Sequence, residues 1–260
     1  MNRNRSFEAA WAAVQEAGRI LRKGFRSRPS YQQKGAIDLV TEWDLKSQEH
    51  LISHLKSSFP KRAFLAEETP NPEIPSGSYW VVDPLDGTTN FVHGFPFYCI
   101  SLALVKENVL LLGLVHNPES KKTYWAVKGK GAYCNGQPVR ISSVKEISRS
   151  LLATGFPYSI RKASSPIMKR FRQVTTQAQG VRRPGSAALD LCWVAQGIFD
   201  GFWEEQLKPW DTAAGVLIVE EAGGKVTDFK GGPYNIFKKE ILASNGLIHP
   251  ALTNLLRLNR

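Results

Sequence analysis

Cysteine is scarce in this sequence, with three residues among 260, at Cys99, Cys134 and Cys192. An odd number at wide spacing is typical neither of a disulfide framework nor of a zinc site. Such cysteine usage is typical of a reducing compartment, and we therefore predict a cytoplasmic protein.

Long hydrophobic runs are also missing. No uninterrupted apolar stretch approaches the ~20 residues that a membrane-spanning helix needs, and the N-terminus lacks the apolar region of a secretory signal. Apolar residues make up 42% of the chain and charged residues 22%, which is ordinary for a globular protein. We expect no membrane association, and a chain of this length can bury a large core.

Acidic residues are fewer than basic ones, 23 against 34, so the formal net charge is +11. A positive excess favours anionic partners, from phosphate esters to nucleic acid. The alternative is a solvated basic surface with no partner. No RNA-recognition motif with interleaved aromatic residues is present, so the charge alone does not choose between these partners.

Two of the scarce carboxylates stand three positions apart in the motif WVVDPLDGTTNF. The apolar run Tyr79–Val82 predicts a buried strand, and the proline that follows Asp83 should end it. We expect Asp83 at the strand end and Asp86 on a tight turn that Gly87 permits. Adjacent carboxylates repel unless a cation lies between them, and Mg²⁺ prefers oxygen ligands. The alternative is a polar strand-to-turn junction without a ligand.

Other acidic positions are expected at the ends of elements. Glu67 follows the predicted strand Phe64–Ala66, and Asp211 precedes the apolar helix predicted from Thr212 to Ala222, where it could also be a simple helix cap. With Asp83 and Asp86 they form an all-oxygen set that suits Mg²⁺ and argues against zinc. Metal ions so held can activate water for phosphoryl displacement.

Two helix starts carry further candidates. Thr41 and Asp44 have the spacing of a capping box at the start of a helix predicted from about Glu42 to Phe59. Gly185, Ser186 and Ala187 should open a second helix, whose unpaired N–H groups would form an anion site. The alternative is an ordinary serine-capped helix start.

The segment DPLDGTTNF resembles the first signature of the inositol monophosphatase family, and WDTAAG, from Trp210 to Gly215, resembles the second. The resemblance covers nearly the whole chain. It implies an α+β / α/β fold, a layered αβαβα sandwich of the inositol monophosphatase and fructose-1,6-bisphosphatase type. Residues 1–145 would form an α+β half that carries most metal ligands, and residues 146–260 an α/β half that completes the site. The resemblance also implies a homodimer.

The same resemblance implies a cofactor of two or three Mg²⁺ ions. Glu67, Asp83 and the Leu85 carbonyl would bind the first, and Asp83, Asp86 and Asp211 the second. A third ion would lean on Glu67.

Catalytic and substrate-binding roles are implied in the same way. A metal-activated water would be oriented by Glu67 and by Thr88, with Asp44 behind Thr88. Further positions would contact the substrate. Gly87 and Thr88 would bind the phosphate, and Ala187, Glu204 and Asp211 would bind the polyol hydroxyls. The start of the second helix would also bind the substrate, through Gly185, Ser186 and Ala187. Lys34 matches a family lysine near the site.

The implied activity is hydrolysis of a phosphate monoester, with inositol 1-phosphate as the first substrate and a small phosphorylated polyol or sugar as the class. Fructose 1,6-bisphosphate and 3′-phosphonucleotides are rivals that these motifs do not separate. A hypothesis of another class is a partner protein of RNA or of a transcription complex, which the +11 charge favours.

Overall fold

The computed structural model of the chain describes residues 3–27, 29–33, 39–161 and 165–258, so the prediction for Lys34 lies outside the described residues. Within the described residues, α-helices occupy seven segments: α1 (Arg3–Phe25), α2 (Glu42–Ser58), α3 (Thr88–Val92), α4 (Ser165–Thr175), α5 (Ala187–Ala195), α6 (Pro209–Glu221) and α7 (His249–Leu256). None of the described helices is long and apolar enough to cross a membrane.

One sheet has seven strands in the order of the chain: β3 (Ala63–Ala66), β4 (Ser78–Asp86), β5 (Cys99–Lys106), β6 (Val109–Asn117), β7 (Lys122–Val127), β8 (Ala132–Cys134) and β9 (Gln137–Pro138). Only β3 and β4 run parallel. The two strands before it, β1 (Tyr31–Gln33) and β2 (Leu39–Thr41), form a separate antiparallel hairpin. Asn135 and Gly136 both have positive φ, as the two-residue turn between β8 and β9 requires.

A second sheet has five strands, β10 (Leu151–Thr154), β11 (Gly180–Arg182), β12 (Gly201–Glu205), β13 (Lys225–Thr227) and β14 (Glu240–Ser244). Their order across the sheet is β11-β10-β12-β14-β13. The strand β10 pairs parallel with both neighbours, whereas β14 is antiparallel to β12 and to β13.

The helices form three layers around these sheets. The helices α1 and α2 cover the outer face of the larger sheet, where Leu21 and Leu51 pack with Trp80 and Ile100. On the outer face of the smaller sheet, α4 and α7 pack through another buried cluster, Val174, Leu252, Leu152, Trp203 and Leu242. The helices α5 and α6 lie between the sheets, so the predicted αβαβα sandwich is confirmed.

The middle layer explains why α6 is apolar on every side. Its residues from Thr212 to Val219 are all buried, because a sheet lies on either face of the helix. A Cβ built on Gly113 in β6 would lie 2.8 Å from the carbonyl oxygen of Ala214, so the strand meets the helix backbone directly. This contact fixes the first turns of α6 against β6.

The division of the chain near residue 145 remains a prediction. The buried cluster around the middle layer contains residues from both sides of that boundary, among them Val81 and Val115 before it and Leu191 and Phe202 after it. The two halves therefore share one core.

Candidate active site

The carboxylate motif lies at the end of β4, and its local structure differs from the prediction. The strand does not end at Asp83, because Asp86 still pairs with Cys99 of β5, with a register shift between Asp83 and Asp86. The proline in this stretch is accommodated by that irregularity. Gly87, with φ of +93°, then reverses the chain into α3, as a residue without a Cβ can.

Asp83 is surrounded by other carboxylates. Its side chain is 1% exposed, and its Oδ1 accepts a hydrogen bond from the Leu85 N–H at 3.0 Å. Burial raises the pKa of Asp83 well above its usual range, and the charges of Glu67, Asp86 and Asp211 raise it further. All four predicted acidic ligands are therefore brought together in the fold.

Asp86 lies against the start of α5. Its Oδ2 accepts hydrogen bonds from the Ser186 hydroxyl at 2.6 Å and from the Ala188 N–H at 2.8 Å. Burial raises the pKa of Asp86, and these donors oppose the rise. The predicted anion site at this helix start is thus partly filled by a carboxylate of the protein itself, while Ser186 also caps the helix by accepting from Leu189.

Thr88 is held between two acceptors. Its hydroxyl lies 3.2 Å from Asp44 Oδ1 and 3.1 Å from the Leu85 carbonyl oxygen. Asp44 Oδ2 accepts from the N–H of Thr41 at 2.8 Å and from its hydroxyl at 2.5 Å, which completes the predicted capping box of α2. Burial raises the pKa of Asp44 to about 6, against the lowering effect of these hydrogen bonds.

The two consecutive glutamates after β3 lie in a turn rather than on the strand. The Glu67 N–H donates to the Val82 carbonyl at 3.1 Å, and the Glu68 N–H donates to Gln48 Oε1 at 3.0 Å. The charge of Glu67 raises the pKa of Asp83, whereas that of Glu68 raises the pKa of Asp44. Of the two, Glu67 is therefore the glutamate that lies near Asp83.

Asp211 is the third residue of the helix rather than its N-cap residue, which corrects the alternative considered from the sequence. The helix α6 begins at Pro209, so Lys208 is the N-cap residue. Asp211 Oδ2 accepts from the Lys208 N–H at 2.7 Å, which fixes the carboxylate at the N-terminus of the helix. Proline at the first helical position, which has no N–H to satisfy, explains the earlier start.

Glu204 is placed by β12 on the side of the sheet that faces the other carboxylates. It is 8% exposed, and burial, followed by the charge of Asp211, raises its pKa to about 8. The next residue on the strand points the opposite way, where Glu205 pairs with Arg170 at 2.8 Å.

Asn90 joins the two loops that carry the candidate phosphate contacts. Its Nδ2 lies 2.6 Å from the Phe97 carbonyl oxygen and 2.9 Å from that of Pro184. A Cβ built on Gly87 would lie 3.3 Å from the Gly185 carbonyl oxygen, so these two glycines lie side by side. Gly185 also has φ of +93°.

Two buried side chains near the site were not predicted. Asp190 on α5 is 1% exposed, its Oδ1 has no hydrogen-bond partner among the described residues, and burial followed by the charge of Glu204 raises its pKa well above the usual range. Cys99 is buried with its Sγ 3.5 Å from the Ser186 hydroxyl and 3.8 Å from Asp86 Oδ2. No local sequence pattern indicates either residue. Cys99 lies near the site because β5 pairs with β4, and Asp190 because α5 packs against the end of β4.

The donor set fits a hard divalent cation. The charges of Glu67, Asp86 and Asp211 all act to raise the pKa of Asp83, and a cation bound among these carboxylates would relieve that repulsion. Within the described ranges, no three acidic, histidine or cysteine side chains already form a ligand shell. In each of Asp83, Asp86 and Asp211, one carboxylate oxygen accepts a hydrogen bond from a backbone N–H, which orients the carboxylate.

Comparisons with known proteins identify the family and the fold. Residues 3–259 match the model described as the inositol monophosphatase family. The chain is 39% identical over 251 residues to an inositol-1-monophosphatase of Caulobacter vibrioides, covering 94% of this chain and 98% of that protein. It is 40% identical over 245 residues to a protein of Neisseria meningitidis serogroup B named as a candidate Nus factor, SuhB, covering 93% and 94%. The crystal structure of the extragenic suppressor protein suhB from Bartonella henselae superposes with a TM-score of 0.93 at 36% identity, covering 98% and 99%.

Proposed function

The chain belongs to the inositol monophosphatase family and is a phosphoric monoester hydrolase, and from this premise we propose that it hydrolyses inositol 1-phosphate to inositol and phosphate with Mg²⁺. The observation that carries the proposal is the convergence of Glu67, Asp83, Asp86 and Asp211, whose mutual charges raise the pKa of Asp83. These four residues come from three separate parts of the sequence, and an all-oxygen set of this kind suits Mg²⁺.

The residues that would hold Mg²⁺ are Glu67, Asp83, Asp86, Asp211 and the Leu85 carbonyl. When bound, two or three such ions polarise the phosphoryl group, lower the pKa of water and neutralise the charge that develops on the leaving oxygen. The protein contributes by fixing the ligands in advance. The Leu85 N–H orients Asp83, and the Ser186 hydroxyl and Ala188 N–H orient Asp86.

Thr88 and Asp44 are suited to orient the attacking water. The Thr88 hydroxyl has one hydrogen, which it donates either to Asp44 Oδ1 or to the Leu85 carbonyl, and its lone pairs then accept from a donor on the open side. Asp44 is itself fixed by the Thr41 N–H and hydroxyl, so the Thr88 rotamer is set by α2. The start of α3 at Gly87 and Thr88 offers backbone N–H groups for the phosphate.

Glu204 and the start of α5 are suited to the polyol. The carboxylate of Glu204 is buried beside the charges of Asp211 and Asp86, so it would accept hydrogen bonds from substrate hydroxyls once cations neutralise its neighbours. Gly185, Ser186 and Ala187 form the adjoining wall in this proposal. A ring polyol with several hydroxyl groups suits this combination of acceptors and backbone donors better than an apolar leaving group does.

The test is phosphate release from inositol 1-phosphate and fructose 1,6-bisphosphate, each measured with Mg²⁺ and with a chelator. We expect Mg²⁺-dependent release with a higher kcat/KM for inositol 1-phosphate, and no release with chelator. A higher kcat/KM for fructose 1,6-bisphosphate, or for a 3′-phosphonucleotide included as a third substrate, would overturn the choice of substrate. Folded protein that releases phosphate from none of them would overturn the proposed function.

A second candidate function is a binding role towards RNA or a transcription complex. It rests on the net charge of +11, on the exposed basic residues of α1 (Arg5, Arg19 and Lys23) with Arg26 just after it, and on similarity to the Neisseria meningitidis protein named as a candidate Nus factor. If phosphates are contacted, RNA binding should weaken steeply as salt rises. A gel shift between 50 and 200 mM salt tests this, and absence of any shift at low salt would contradict it.

A further inference from the structure

The carboxylate of Glu204 lies directly against a residue with no side chain. The strands β10 and β12 run parallel, with Thr154 opposite Trp203, so Gly155 leaves β10 beside Glu204. A Cβ built on Gly155 would overlap Oε1, Oε2 and Cδ of Glu204, and these are its three nearest heavy atoms. The Thr154 hydroxyl donates to the Trp203 carbonyl at 2.7 Å, which keeps the two strand ends in this register.

The backbone that carries Glu204 is fixed on its far side as well. Glu205 is held by Arg170, whose side chain also donates to the Leu256 carbonyl at 2.9 Å. Gln206 has φ of +65°, and its N–H donates to the Lys239 carbonyl. Its side-chain oxygen accepts from the Ser159 hydroxyl at 2.8 Å, which ties the loop after Gly155 to the end of β12. A side chain at position 155 would therefore displace the Glu204 carboxylate rather than the strand.

We propose that Gly155 is a positioning residue that sets the preference for hydroxyl-bearing leaving groups by leaving room for the Glu204 carboxylate at the wall of the site. This inference rests on the proposed function. The charges of Asp211 and Asp86 that act on Glu204 have the same sign as its own, whereas that of Arg183 has the opposite sign. A displaced carboxylate would leave the position from which it can accept from the substrate hydroxyls, while the phosphate end of the site would be unchanged.

The first experiment compares Gly155→Ala with wild type on inositol 1-phosphate and on 4-nitrophenyl phosphate, which has no hydroxyls on its leaving group. We expect KM for inositol 1-phosphate to rise roughly tenfold, the effect of losing a hydrogen bond to a charged group. For 4-nitrophenyl phosphate, kcat/KM should stay within about twofold. The matched control is Gly180→Ala in β11 of the same sheet, where a Cβ would meet its nearest atom at 3.3 Å, and both substrates should behave as with wild type.

The second experiment places Gly155→Ala in a Glu204→Ala background. If Gly155 acts through Glu204, the two effects are not additive, because removal of the carboxylate makes room for the new methyl group. The double variant should then have the same KM for inositol 1-phosphate as Glu204→Ala alone. The thermal midpoint, which needs no substrate, should fall for Gly155→Ala in the wild-type background and not in the Glu204→Ala background.

The outcomes separate the inference from the function on which it rests. Equal losses on both substrates, or additive effects in the double variant, would overturn the role of Gly155 while wild-type activity upholds the proposed function. Wild-type protein that releases no phosphate from either substrate would overturn the proposed function and with it the specificity role. The thermal cycle would still report in that case whether Gly155 and Glu204 are in contact.

Discussion

At the scale of single residues, the Thr88 hydroxyl is the group whose contribution is easiest to isolate. We expect Thr88→Ala to lower kcat roughly 10- to 100-fold, as loss of an orienting partner does at metal sites. Thr88→Ser should recover most of the rate, because it retains the hydroxyl that lies 3.2 Å from Asp44 Oδ1. Steady-state kinetics with inositol 1-phosphate, or with whichever substrate proves best, measures both variants.

The control for this prediction stands next to it in the chain. Thr89 is on the same short helix and exposed, so Thr89→Ala should leave kcat unchanged. A loss for Thr89→Ala equal to that for Thr88→Ala would assign the effect to the helix rather than to the hydroxyl. Full activity of Thr88→Ala would remove Thr88 from the proposed mechanism.

Much of the carboxylate set was predictable residue by residue, since Asp83, Asp86, Glu67 and Asp211 each stand beside a strand end or helix start in the sequence. The partners of these residues were not. Ser186 donates to Asp86 across a separation of 100 positions. No local pattern reports such a contact, because it depends on how α5 packs against the end of β4.

At the scale of helices and strands, local sequence pattern predicted the elements that carry the candidate site residues, and the error at the end of β4 shows what it omits. The proline in DPLD indicated a strand end after Val82. Pairing between Asp86 and Cys99 continues the strand, because β5 offers a partner that local sequence does not show. The order of strands in the five-stranded sheet likewise depends on contacts between distant segments, and the sequence does not predict it.

The contact between β6 and α6 is a place where a single methyl group should matter. Gly113→Ala would bring a Cβ to 2.8 Å from the Ala214 carbonyl oxygen and 3.0 Å from its Cα, both backbone atoms that cannot rotate away. Overpacking of this kind costs about 1–3 kcal/mol. Urea unfolding should report that loss for Gly113→Ala and not for Gly180→Ala, where the nearest atoms are side-chain ends. Equal stability of the two variants would contradict a close strand–helix contact.

A buried histidine at the start of α7 should make the free energy of unfolding depend on pH. His249 is 2% exposed, with Nε2 2.9 Å from the Thr227 hydroxyl and Nδ1 2.8 Å from that of Ser244. Burial lowers the pKa of His249 from 6.5 to about 4. Its stabilisation is thus fully present above pH 6.5 and is lost as the pH falls towards 4, because only the unfolded chain takes up the proton.

Urea unfolding at pH 7.5 and pH 5.0 measures this dependence. Between these values, wild type should lose roughly 2 kcal/mol more free energy of unfolding than His249→Gln, at 1.36 kcal/mol for each pH unit between 6.5 and 5. His116, whose pKa burial also lowers to about 4, is present in both proteins, so its contribution cancels. The exposed His93→Gln is the control and should follow wild type. The same loss in His249→Gln as in wild type would contradict the assignment.

At the scale of the whole molecule, the candidate site joins the two halves of the chain, since Glu67, Asp83 and Asp86 precede residue 145 and Asp211 follows it. Without a cation these carboxylates oppose one another, and Mg²⁺ bound among them should stabilise the entire fold. At a hundred times its dissociation constant the gain is about 2.7 kcal/mol. For a chain of this size that corresponds to a rise of roughly 5–10 °C in Tm.

Differential scanning calorimetry with Mg²⁺ and with NaCl at equal ionic strength separates specific binding from screening of the +11 charge. We expect the rise with Mg²⁺ alone, and little or none in Asp86→Asn, whose amide oxygen still accepts from Ser186 and Ala188 but carries no charge. Asp228→Asn, which removes a carboxylate that pairs with Lys238, should retain the full rise. An equal rise with NaCl, or an undiminished rise in Asp86→Asn, would show that Mg²⁺ does not bind among these carboxylates. A rise that follows Asp86 would show that the metal binds among carboxylates from both halves of the chain.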